Sequence, residues 1–176
     1  METLKTIACR KSTRAFRSEQ ISADELKKII DAGCAAPVAM GDTDTLHLTI
    51  VQNSDILKEI SLLGGAFFGR PDFEALYKAP LLVVISSKPD IADGKIGTAN
   101  AACIIENMCL AATDLGIGSV YIMGASMAIA KNEELLGKLH IPEGFIPLSS
   151  VALGYPVETL DNLEREPKAI KLNTIK

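Results

Sequence analysis

The 176-residue chain has no tryptophan, and aromatic residues make up only 5% of it. Hydrophobic residues still reach 48%, so the interior has to be built from alanine, leucine, isoleucine and valine. Histidine is limited to His47 and His140, and the four cysteines, Cys9, Cys34, Cys103 and Cys109, contain no Cys-x-x-Cys pair. No tetrahedral metal set exists at a recognisable spacing, and the cysteines sit among apolar neighbours, as reduced thiols packed like small hydrophobes do. No charged n-region followed by an apolar segment opens the chain, so a cytoplasmic location is expected. Nucleophile elbow and Walker loop are also missing, and Gly116-x-Gly118 follows a helical pattern rather than a strand, which removes it as a dinucleotide fingerprint.

Positive charge is in short supply too. Eighteen lysines and arginines stand against 22 aspartates and glutamates, a net charge of -4, and such a chain repels a nucleic-acid backbone unless one strong local patch overrides the field. A single patch is present, Arg10-Lys11-Ser12-Thr13-Arg14. Two guanidinium forks, an ammonium and two hydroxyls within five residues suit a small dianion such as a phosphate; a solvated charge run beside a helix end is the competing reading.

Downstream, Ser22 and Glu25 form a capping box ahead of Leu26, Ile29, Ile30 and Cys34, which predicts an amphipathic helix ending near Ala36, before Pro37. Residues 46–51 alternate as a strand does, and Ser54 caps a helix expected to stop at Gly64 and Gly65. A short helix is expected over 72–77. Residues 81–86, Leu-Leu-Val-Val-Ile-Ser, are apolar without a break and predict a central strand buried on both faces. The segment 96–115 has the length of a bilayer span, but Glu106, Asn107 and Asp114 make it a core or interface helix instead. Strands over 119–123 and 147–153, with a helix carrying Leu135, Leu136 and Leu139 between them, complete the pattern. Helices and strands mix without strict alternation, which favours an α+β sheet with helices on both sides. No repeat, linker or low-complexity stretch divides the chain, so residues 1–176 read as one domain.

The basic run, Ala35-Ala36-Pro37, the small-residue helix over 99–114, Gly116-Ile117-Gly118-Ser119 and Leu153-Gly154-Tyr155-Pro156 follow one another in an order and at a spacing that resembles the FMN-dependent nitroreductase family. The resemblance runs nearly end to end. It implies a three-layer α/β/α sandwich with a mostly antiparallel central sheet, in a homodimer with FMN at the subunit interface. It further implies an oxidoreductase that passes electrons from NAD(P)H through the flavin to a small organic oxidant by a ping-pong sequence, with no nucleic acid or membrane partner. Arg10 and Ser12, with Lys11 beside them, correspond to the residues on the FMN phosphate, and Arg14 to the one on the ring edge near N1 and O2. Pro37, Val38, Ala39 and Met40 correspond to the segment that lies along the flavin of the other subunit. Met123 and Gly124 match the turn whose amides face N5 and O4, and Lys168, or alternatively Arg165, matches a cation on the phosphate. No side chain is expected to act as catalyst, since the flavin carries the chemistry. Where relatives have Asn-x-Gln-Pro-Trp, this chain reads Met40-Gly41-Asp42-Thr43-Asp44-Thr45, which places two carboxylates near the flavin. With little length between Gly65 and Pro80 for a helical lid, an open pocket is expected. A flavin carrier or sensor with little turnover is the alternative the departure leaves open.

Overall fold

The computed structural model describes residues 2–90, 94–161 and 163–176. Its helices are α1 (Thr3–Cys9), α2 (Ala23–Cys34), α3 (Ser54–Phe67), α4 (Lys95–Asp114), α5 (Gly124–Ile129) and α6 (Glu133–Lys138); its strands are β1 (Leu46–Val51), β2 (Leu81–Ser87), β3 (Gly118–Ile122) and β4 (Ile146–Gly154). The strands form one sheet in the order β1-β2-β4-β3 with every pairing antiparallel.

The apolar run of β2 explains the layering. Because side chains alternate across a strand, Leu82 and Val84 point into a cluster with α3, α5 and α6, and Leu81, Val83 and Ile85 into a cluster with α2 and α4. All seven residues of β2 are buried, as a strand covered by helices on both faces requires. The result is the three-layer α/β/α sandwich. Continuous apolar strands usually accompany parallel sheets; here an antiparallel one has the same pattern because both its faces are covered.

Helix termini follow local chemistry. Ser22 Oγ accepts from the Glu25 amide at 3.3 Å while the Glu25 carboxylate accepts from the Ser22 amide at 3.0 Å, so the capping box forms as read. α4 starts after Gly94 in the left-handed region (φ 79), and the Asp90 carboxylate takes the amides of Gly94 and Gly97, two donors that the helix itself leaves unpaired. Among the described residues no helix is long and apolar enough to cross a membrane.

Five expectations need correction. α2 ends at Cys34, short of Ala36. α3 is capped by Asn53, whose side chain accepts from the Asp55 and Ile56 amides, and not by Ser54. It also runs through Gly64 and Gly65 to Phe67. Those glycines are contact points: a Cβ at Gly65 would lie 2.1 Å from the Phe73 carbonyl oxygen, so the pair lets the returning chain cross the helix. Residues 72–77 form turns rather than a helix, with Tyr77 (φ 54) and Lys78 (φ 60) both left-handed. Finally β3 stops at Ile122, and Met123 opens α5, a helix the sequence reading lacked.

Candidate functional site

α1 stops at Cys9 because Arg10 leaves the helical region (φ -56, ψ 129), and the basic run continues as extended chain. Ser12 forms a parallel bridge with Ser119 on β3, and the Thr13 amide donates to the Ser119 carbonyl at 2.9 Å. Thr13 is buried against Gly118, where a Cβ would sit 2.8 to 3.0 Å from its side-chain atoms, so only glycine lets the run lie this close to the strand. Next, the Arg17 amide donates to the Tyr155 carbonyl and the Val157 amide to that of Ala15. The basic run and Gly154-Tyr155-Pro156, distant in sequence, are therefore neighbours. The Tyr155 hydroxyl donates to the Glu25 carboxylate at 2.6 Å. Hydrogen bonds from the Ser22 side chain, then from Tyr155, hold the Glu25 carboxyl below the usual carboxylate range.

The cations of this segment differ in what they face. Arg10 Nε lies 3.3 Å from Glu106 Oε1 on α4, Lys11 Nζ lies 2.5 Å from Asp161, and Arg17 lies 3.6 Å from Glu19. Arg14 pairs with no carboxylate among the described residues; its guanidinium carbon sits 5.8 Å from the centroid of the Tyr77 ring. Arg14 borders two clefts. One, of about 360 Å³, lies between Lys11, Thr13 and the segment 156–161; the other, of about 470 Å³, is walled by Phe16, Phe73, Tyr77, Lys78 and Val157. The chain end also returns here, since the Arg165 amide donates to the Ala8 carbonyl at 3.0 Å, beside the end of α1. Of the two cations proposed for the tail, Arg165 thus has its backbone tied next to the run, and Lys168 follows as an exposed residue.

Met123 and Gly124 lie at the opposite end of β3 from Ser119, four residues or about 13 Å along the strand. Met123 is half exposed, while Gly124 is covered by the ring of Phe68, which a Cβ at 124 would meet at 2.1 Å. Residues 37–40 stand apart from the run. The Ala39 amide donates to the buried Asn100 in the first half of α4, whereas Arg10 meets Glu106 in the second half. Met40 is 92% exposed on a left-handed residue (φ 56) and projects away from its own chain. Asp42, one of the two carboxylates noted in the sequence, accepts from the Asp44 amide at 3.1 Å and so caps the turn Thr43–Thr45.

The structure thus gathers 10–14, 155–157 and 165 into one corner at the start of β3 that holds the cations of the basic run together with Glu106 and Asp161, with a turn at the strand's other end. That arrangement suits an elongated ligand with a dianion at one terminus. Glu106, noted in the sequence only as a residue against a membrane span, and Asp161 face the cations; neither of them, nor Tyr77, was read as a site residue. Nothing local marks Glu106 or Asp161, and Tyr77 was hidden by reading 72–77 as helix.

A family model described as Nitroreductase family matches residues 7–64 and 65–155. A protein of Archaeoglobus fulgidus with the provisional name NADH dehydrogenase/NAD(P)H nitroreductase is 34% identical over 172 residues, covering 95% of this chain and 92% of that one. An NADPH-flavin oxidoreductase of Vibrio harveyi is 27% identical over 172 residues, 94% of this chain and 70% of the other. Among solved structures, a nitroreductase with bound FMN from Bacteroides fragilis is 35% identical, with a TM-score of 0.81 over 100% of this chain and 98% of its own. Matched by the family model over most of its length, and sharing both sequence and fold with these proteins, the chain belongs to the nitroreductase family.

Proposed function

We propose that the chain binds FMN and works as an NAD(P)H-dependent oxidoreductase toward a small organic acceptor such as a nitroaromatic or a quinone. The observation that carries this reading is the corner at the start of β3 where Arg10, Lys11, Ser12 and Arg14 come together, joined by the strand to the turn at Met123 and Gly124, in a chain whose relatives are flavin enzymes. The donor set fits the cofactor. Arg10, Lys11 and Ser12, with Arg165 or Lys168 from the returning tail, supply charge-assisted hydrogen bonds to a phosphate. Arg14, which unlike Arg10 and Lys11 has no carboxylate partner among the described residues, faces the ring edge that becomes negative on reduction. The amides of Met123 and Gly124 orient the reacting edge.

When bound, FMN supplies hydride chemistry, taking electrons from NAD(P)H and giving them to the acceptor at the same place in turn. The protein provides binding, orientation and field; no side-chain acid or base is assigned. Residues 37–40 complete the site of a partner subunit in a homodimer. The exposure of Pro37, Ala39 and Met40, with that of Ile170, Leu172 and Ile175 in the tail at 89 to 92%, supports an assembly in which these apolar groups are covered.

The visible spectrum of the purified protein tests cofactor binding, and steady-state NADH and NADPH oxidation with menadione or a nitroaromatic tests turnover. A flavin spectrum and parallel double-reciprocal lines are expected. Colourless protein that takes up no added FMN would overturn the reading, and flavin-loaded protein without turnover would instead favour a carrier or sensor.

A further inference from the structure

Tyr77 and Lys78 are two successive non-glycine residues in the left-handed region, at φ 54 and 60. A bulky side chain there is costly, and such geometry persists only where its surroundings impose it. The surroundings are visible. The preceding turn is anchored by the Leu76 amide, which donates to the buried Ser61 hydroxyl at 3.1 Å, and by the wholly buried Leu76 side chain. Pro80 follows, and its carbonyl accepts from Gln20 Nε2 at 2.6 Å. Between these anchors the chain reverses, and the reversal turns the half-buried Tyr77 ring toward Arg14. Phe73 braces that ring edge-on, with centroids 5.6 Å apart and planes at 82°.

Arg14 needs such a support more than its neighbours do. Arg10, Lys11 and Arg17 each have a carboxylate to fix them, whereas among the described residues Arg14 has an aromatic face instead. An acid in that place would cancel its charge; a ring holds a guanidinium and leaves the charge intact. Asp72 and Glu74 line the same cleft, but Glu74 faces Lys78 Nζ at 3.7 Å.

We propose that Tyr77 is a positioning residue that holds the Arg14 guanidinium against the cofactor's ring edge and thereby raises the potential of the bound flavin. This rests on the reading of Arg14 given above. Two electrons and one proton convert the ring to an anion, and a fixed cation at that edge favours the anion. Without the ring, Arg14 spreads over more rotamers and its mean charge moves away from the edge.

Redox titration of the FMN-loaded protein, with FMN titration of the apoprotein alongside, tests this. Tyr77→Leu is expected to lower the potential by an amount equal to a two- to fivefold weaker preference for the reduced cofactor, about 10 to 20 mV at 30 mV per tenfold. Tyr77→Phe keeps the face and should match wild type. Tyr77→Gly removes the ring while suiting the left-handed backbone, so it serves if the leucine variant folds poorly. FMN affinity should change less than twofold in all three. Arg14→Gln should lower the potential further, and adding Tyr77→Leu to it should do nothing more. An unchanged potential in both Tyr77→Leu and Tyr77→Gly, or an additive shift in the double variant, would overturn the role of Tyr77 while leaving that of Arg14 standing. No shift in Arg14→Gln would instead overturn the reading of Arg14 beneath it.

Discussion

At the scale of single residues, the cations of the basic run are distinguished by their partners. Arg10 shares its guanidinium with Glu106, whose carboxylate would stand near any phosphate that Arg10 holds. Loss of a charge-assisted contact to phosphate costs about 1.5 to 3 kcal/mol, so Arg10→Ala should weaken FMN binding roughly tenfold to a hundredfold in a titration of apoprotein, and Ser12→Ala less. Glu106→Gln should act in the opposite direction. A half-exposed ion pair is worth only about 0.2 to 1 kcal/mol, so releasing Arg10 and removing a repelling charge should tighten FMN up to about fivefold. Weaker binding in Glu106→Gln would make that carboxylate an orienting partner instead.

Tyr155 shows a second lesson at this scale. Its hydroxyl and that of Ser22 converge on Glu25, so this member of the Gly-Tyr-Pro signature ties the end of β4 to the start of α2. Because those hydrogen bonds depress the Glu25 carboxyl, its contribution to stability is present above the ordinary glutamate range and is lost as pH falls through the lowered folded-state value. The difference in Tm between wild type and Glu25→Gln should therefore be largest near pH 6 and shrink toward pH 3. A difference that stays constant across that span would remove Glu25 ionisation as its source.

Among the elements, glycine has opposite meanings in two helices. In α6, Gly137 has nothing within 4 Å of where a Cβ would lie, and helix propensity alone decides, so Gly137→Ala should stabilise by about 0.5 to 1 kcal/mol. In α3 the same propensity gain acts at Gly65, but a Cβ there meets two backbone oxygens, at 2.1 Å from Phe73 and 2.7 Å from Arg70. Backbone cannot swing aside as a side-chain tip can, and overpacking costs about 1 to 3 kcal/mol or more, so the clash wins and Gly65→Ala should destabilise by about 2 kcal/mol. Denaturant midpoints of the two variants should move in opposite directions. Equal shifts would mean that the crossing of 70–75 over α3 is looser than the structure has it.

For the whole molecule, the chain presents more apolar surface than its own layers cover. Leu4, Ile7, Met40, Leu163, Ile170, Leu172 and Ile175 are all more than half exposed, and α4 exposes Ala99, Ala102 and Cys103 between Thr98 and Glu106. Sedimentation at low micromolar concentration should give about twice the 18.8 kDa chain mass. Ending the chain after Lys168 keeps both tail cations and removes three of the exposed apolar groups, so it should shift the protein toward monomer. A full-length monomer that binds FMN normally would contradict a site shared between subunits.

What the sequence determined by itself was what repeats or acts locally. The unbroken apolar run of β2 required cover on both faces, the capping box at Ser22 and Glu25 required the start of α2, and the basic run required an anion or water. The motifs also sufficed to indicate the family. Tertiary structure alone decided where neighbours come from distant parts of the chain. Gly64 and Gly65 have the local form of a helix stop, yet they lie inside α3 because another segment crosses them. Residues 72–77 have a helical spacing, yet anchoring by Ser61 and Pro80 bends them into the left-handed turn that brings Tyr77 to Arg14. Which cations of 10–14 are already paired followed from Glu106 and Asp161, about a hundred or more residues away. Local propensity is worth tenths of a kcal/mol per residue, whereas a buried contact or a steric clash is worth several times that, so wherever the two disagree the packing prevails.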